Sequence, residues 1–97
     1  MTKKPLKPLM PGPASQPAPF TLADAESLHM LAAGTAEPEQ QKRALKWIIE
    51  QAAATYVWAY RDNQRETDIA LGKQQVGQQI VGLLRVSISE LRRQFND

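Results

Sequence analysis

The stretch Glu66–Phe95, ETDIALGKQQVGQQIVGLLRVSISELRRQF, decides how the chain is read. Its apolar residues Ile69, Val76, Ile80, Leu83, Leu84, Ile88, Leu91 and Phe95 recur mostly three or four positions apart, which places side chains on one face of an α-helix. The spacing predicts one long helix over 66–95. Thr67 or Asn63 serves as its cap, Glu66 and Asp68 lie near its first turn, and Arg92 and Arg93 close it with the sign the helix dipole favours. Gly72, Gly77 and Gly82 interrupt it at a cost of about 1 kcal/mol each relative to alanine, so they call for a compensating contact. Gly77 lies beside the apolar stripe, and Gly72, Val76, Gly77, Ile80 and Leu84 are therefore assigned to close helix packing. A kink, or a division into two shorter helices at a glycine, is the alternative.

Immediately upstream, Thr55–Asn63 combines β-preferring and aromatic residues, but no second apolar strand is available to pair with it. Either the preceding helix runs on to about Tyr60, or an irregular aromatic connector forms, with Arg61, Asp62 and Asn63 as its turn. Trp58 and Tyr60 are expected to serve core packing and partner contact. Single-strand nucleic-acid stacking would need more framing cations than Arg61 and Arg65.

A second helix is expected over about 37–55 or longer. Thr35 can cap it, Pro38 is tolerated in its first turn, and Glu37 and Glu39 complement its dipole. Ala44, Leu45, Ile48, Ile49, Ala52 and Tyr56 line one face, and Trp47, off that stripe, either closes the side of the core or anchors an interface. A first helix is expected over about 22–33, opened by a capping box of Thr21 and Asp24 and closed by Gly34 in the left-handed conformation. His29 lies within it, and as a lone histidine in a chain without cysteine it is read as a packed or surface residue.

Residues 1–20 hold Pro5, Pro8, Pro11, Pro13, Pro17 and Pro19, six of the seven prolines. Proline fixes φ, removes an amide donor and biases its predecessor toward extended conformations, so an exposed polyproline II arm is expected, outside the core. Leu6, Leu9, Met10 and Phe20 make it less polar than a plain linker and are assigned to partner binding, together with Trp47, Trp58 and Tyr60; a disordered, solubilising tail is the alternative reading of the arm.

Charge is unevenly placed. The formal net charge is +2, but Lys3, Lys4 and Lys7 precede the first acid, Asp24, and the remainder carries nine basic and ten acidic side chains. A near-neutral body offers phosphate little attraction, which weighs against a small helical nucleic-acid-binding regulator, the alternative function. The chain has no cysteine, so thiolate metal sites and disulfides are excluded. One histidine and no phosphate-cradling loop leave no catalytic or cofactor constellation, and no enzyme activity, metal or cofactor is expected. No apolar run is long enough to span a bilayer, and the N-terminus lacks the apolar block of a secretory signal.

The segment Leu28 to Leu84 resembles a small domain family of tailed bacteriophages, first named from a Bordetella phage and found among structural-region proteins of podoviruses. The resemblance rests on Gly34-Thr35, Pro38, Arg43-Ala44-Leu45-Lys46-Trp47, the aromatic connector, and Gly72 with Val76-Gly77. Ile69 stands at the family's aromatic position, and Leu71 and Gln74 stand where the family has Glu and Arg. It implies a multi-copy virion component on the capsid, portal or head-tail junction, tail or ejection apparatus, contacting other phage structural proteins. The expectation is thus an all-α, three-helix domain behind a proline-rich arm, a non-enzymatic structural protein of the virion docking through its arm and last helix.

Overall fold

The computed structural model describes residues 12–96. Among these the chain is all-α: α1 (Leu22–Ala33), α2 (Pro38–Trp47), α3 (Gln64–Arg85) and α4 (Ile88–Asn96), with a π-helical turn, Ile48–Ala52, continuing α2.

Local chemistry explains each boundary. Thr21 Oγ1 accepts from the Asp24 amide at 3.2 Å while Asp24 Oδ2 accepts from the Thr21 amide at 2.9 Å, satisfying two donors that the helix start would otherwise leave open. Gly34, at φ 76°, ends α1; its amide reaches Leu31 O and the Thr35 amide reaches Met30 O, the paired closure of a Schellman motif. Thr35 therefore closes α1 instead of capping α2. Glu37 occupies the cap position of α2, its amide donating to Gln40 Oε1 at 2.9 Å, and Pro38 sits in the first turn.

The expected single helix over 66–95 is corrected to two, giving four helices in place of three. The division falls at Val86–Ser87, where Val86 is extended, and no glycine breaks the chain. Ser87 restarts the helix: its Oγ accepts from the Glu90 amide at 3.4 Å and its carbonyl from the Leu91 amide at 3.1 Å. Ser87-Ile88-Ser89-Glu90 is a capping-box sequence, and it overrides an apolar periodicity that runs straight through it.

α1 packs on α2, and α3 packs on the π-helical turn, while α4 packs on no other described helix. Among the described residues the buried apolar ones are Ala14, Ala44, Ile49, Ala53, Ala59 and Ala70. Alanine dominates this set, so backbones approach closely but little apolar area is removed from water, and polar contacts must carry much of the fixation.

The expectation that the first twenty residues stay outside the core is corrected at Ala14, which is 6% exposed and clusters with Ala59 and Ala70 against Ile69. Residues 12–19 lie over the start of α3 and the connector before it. Ser15 donates to Glu66 Oε1 through its amide at 2.9 Å and its hydroxyl at 3.1 Å; Arg61 Nε donates to Gly12 O at 2.7 Å; Lys73 Nζ donates to Ala14 O; and Trp47 Nε1 donates to Pro19 O at 2.9 Å. A proline-bearing segment has few amides to satisfy and many free carbonyls, so cationic and indole donors on the body can hold it down. Leu6, Leu9 and Met10, the arm's other assigned contact residues, lie outside the described residues.

Candidate interaction surface

The connector between the π-helical turn and α3 positions the aromatic side chains. The Ala53 amide bonds Ile48 O at 2.9 Å; Ala54 turns the chain at φ 47°; and Thr55 then doubles back, its amide and Oγ1 both donating to Ile49 O, at 3.1 and 2.7 Å. Thr55 and Ala53 are buried where α3 crosses, and the residue of α3 facing them is Gly77. From Trp58 to Arg61 the chain carries no helix, and side chains alternate: Ala59 points into the core beside Ala14 and Ala70, and Trp58 and Tyr60 point outward. Their rings meet edge to face, centroids 6.4 Å apart, yet Trp58 remains 60% and Tyr60 65% exposed.

Polar bonds fix this outward pair. The Arg61 guanidinium donates to the carbonyls of Gly12, Trp58 and Tyr60, the Arg61 amide donates to Thr67 Oγ1 at 2.9 Å, and Gln74 Nε2 reaches Val57 O. One planar fork thereby ties the connector to residues 12–19, the strap, a role with no local signal around Arg61.

A second exposed apolar region lies on the distal half of α3 and on α4. Val76, Leu83, Leu84, Ile88 and Phe95 are 54%, 68%, 60%, 57% and 81% exposed. Between α2 and α3, Leu45, Ile49, Tyr56, Val81 and Leu84 line an open groove of about 400 Å³, bordered by Lys42, Lys46 and Arg85.

The residues assigned from sequence thus have different surroundings. Gly77 meets Thr55 and Ala53, whereas Gly72 and Gly82 face open space, so their cost is not offset by a contact inside the chain. Ile80 is half-buried, and Val76 and Leu84 are exposed. Of the residues assigned to close helix packing, Gly72, Val76 and Leu84 make none among the described residues: Gly72 faces open space, Val76 is exposed, and Leu84 lines the open groove that faces α2. Trp47 is half-buried and its indole donor is taken by Pro19; Phe20 is 67% exposed.

A charged cleft of about 600 Å³ separates α1 from α2. Two of its charge pairs are made: Arg43 Nε donates to Asp24 Oδ1 at 3.0 Å, with Nη2 donating to Thr21 Oγ1 at 3.4 Å, and Lys42 Nζ lies 3.6 Å from Glu39 Oε1. The Thr21 amide, with that guanidinium, holds the Asp24 carboxyl below its usual value, and the Ser15 amide and hydroxyl do the same for Glu66. His29 is exposed, and among the described residues no three His, Cys, Asp or Glu side chains are grouped to hold a metal. No described helix is long and apolar enough to cross a membrane. What the surface offers chemically is apolar and aromatic contact area on a polar-latched frame. No family model, curated protein or solved structure matches the chain.

Proposed function

We propose that the protein is a non-enzymatic structural or assembly component of a bacteriophage virion, built into the particle in several copies through the face formed by distal α3 and α4. The observation that carries this is the unpartnered apolar run Leu83, Leu84, Ile88 and Phe95 on helices that extend past the protein's own core. Large apolar side chains left exposed without a partner favour a protein–protein contact. The alanine-dominated interior points the same way, because a small body with little buried area gains stability from neighbours. The sequence resemblance supplies the phage context. The arm contributes less to this docking than its prolines suggest, since residues 12–19 bond to the protein's own body.

The test is particle incorporation of a Leu83→Glu/Phe95→Glu variant during a phage infection complemented with that protein. Both positions are exposed and lie away from the buried cluster, so circular dichroism should be unchanged while the variant is excluded from purified particles. Normal incorporation with unchanged helicity contradicts docking through this face.

A further inference from the structure

α3 is held to the body along one side, where Thr67, Ala70 and Gly77 are buried. At about 100° per residue the opposite side carries Gly72, Val76, Gln79 and Leu83, spaced four, three and four apart, which is the spacing of a seam between two helices. All of it is open. Val76 and Leu83 are 54% and 68% exposed, Gln79 is exposed, and a Cβ at Gly72 would meet nothing within 4 Å. A helix side meant for solvent carries charge, yet between Asp68 and Arg85 the one charged residue is Lys73, and its ammonium is turned to Ala14 O. About four turns of outward-facing helix are therefore uncharged, as the centre of a protein interface is.

From these observations we propose that this side of α3 packs antiparallel against the same side of a second copy of the chain, about a two-fold axis that passes level with the Gly77–Gln78 peptide. Residues equidistant from that level then oppose each other: Gly72 faces Leu83 of the second copy, and Val76 faces its Gln79. The seam is complementary to itself. A glycine gap receives a leucine at either end, and a short branched side chain meets a long unbranched one at the centre, so the two-fold fills space evenly. Charge selects both the occupant and its direction. Residues 62–68 hold Asp62, Glu66 and Asp68 against Arg65, a net of −2, and residues 85–93 hold Arg85, Arg92 and Arg93 against Glu90, a net of +2. Antiparallel pairing sets each acidic end beside the basic end of the other copy and opposes the two helix dipoles, whereas parallel pairing sets like beside like. Gly72, whose gap nothing in its own chain fills, gains its compensating contact from the second copy.

The experiment is sedimentation equilibrium of the full chain from ~10 to ~300 μM, a window suited to an interface at the small end of specific contacts, below about 1,200 Å². The mass should rise from one chain to two. Val76→Glu, at an exposed position outside the core, should keep its circular dichroism and weaken association roughly tenfold or more, because the seam would bury an unpaired carboxylate. Direction is read with introduced cysteines, since the chain has none of its own. Gly72→Cys mixed with Leu83→Cys should form a disulfide between the two variants on mild oxidation, and neither should do so alone: like positions lie eleven residues, or roughly 16 Å, apart along an antiparallel seam, beyond the ~7 Å a disulfide bridges. A single-chain mass across the whole range overturns the proposal, as does association untouched by Val76→Glu or a disulfide formed within either cysteine variant alone. These readouts need no phage, so their failure leaves the virion reading standing, and absence from particles would leave the dimer standing.

Discussion

Gly77 of α3 faces Thr55 so closely that a Cβ added to the glycine would overlap the Thr55 hydroxyl and lie 2.9 Å from Thr55 Cβ and 3.0 Å from Ala53 Cβ. The contact sits where α3 crosses the end of the π-helical turn, and Thr55 is committed there by its bonds to Ile49 O. Gly77→Ala should destabilise the fold by about 1–3 kcal/mol or more, because neither Thr55 nor the backbone it is bonded to can move aside cheaply. Gly72→Ala and Gly82→Ala, with nothing within 4 Å, should instead stabilise by about 0.5–1 kcal/mol through helix propensity. Urea unfolding of the three variants distinguishes the positions. In a double-mutant cycle, Thr55→Ala should soften the Gly77→Ala penalty, leaving a coupling on the order of 1 kcal/mol.

Ala54 adopts φ 47° without being glycine. The left-handed conformation costs an alanine roughly 1–2 kcal/mol, part of which a glycine would return as greater freedom of the unfolded chain. Ala54→Gly should therefore raise stability by about 0.5–1 kcal/mol, seen as a higher urea midpoint at unchanged slope. A loss of stability would mean that the turn is not strained.

Acid should release the strap. The Ser15 amide and hydroxyl hold Glu66 below the ordinary glutamate value near 4.5, and the Thr21 amide holds Asp24 below the ordinary 3.8. A carboxyl lowered by folding contributes stability that is complete above its unfolded value and lost as pH falls through its folded one. The melting temperature should thus be level above about pH 5 and fall progressively below it. Glu66→Gln should start lower at neutral pH and show a shallower acid limb. An acid limb identical to that of the unaltered protein would contradict the role given to Glu66.

Arg61 binds three carbonyls from two parts of the chain with one planar group, a geometry that a lysine ammonium on a flexible stem does not reproduce. Arg61→Lys should cost about 1–2 kcal/mol and increase hydrogen exchange at the amides of Ser15 and Gln16 before those of α1. Uniform loss of protection across the protein would argue instead for a general effect on the core.

The features legible in the sequence were those written in neighbouring residues. Thr21 with Asp24, Gly34 after α1 and Pro38 opening α2 are local chemistry, and the structure uses each of them. Ser87-Ile88-Ser89-Glu90 carried the same kind of signal, but the three- and four-residue spacing of Leu84, Ile88, Leu91 and Phe95 passes smoothly through it and hides the break. The strap was not legible, because its bonds join Ser15 to Glu66 and Lys73 to Ala14, side chains and carbonyls more than fifty residues apart with no pattern to mark them. The alanine-rich interior was equally hidden: Ala14, Ala59 and Ala70 gain meaning only when three distant backbones converge. Of the candidate surface, Trp58 and Tyr60 were read from residue type as serving core packing and partner contact, and their outward orientation depends on the alternation about buried Ala59.

The most direct measurement of the proposed virion role is quantitative mass spectrometry of phage particles purified from cells that express this chain. Assembly through the α3–α4 face predicts several copies per particle, retained through gradient purification, and far fewer copies of the Leu83→Glu/Phe95→Glu variant. Absence of the unaltered protein from purified particles, with its presence in the infected-cell lysate, would contradict a virion role outright.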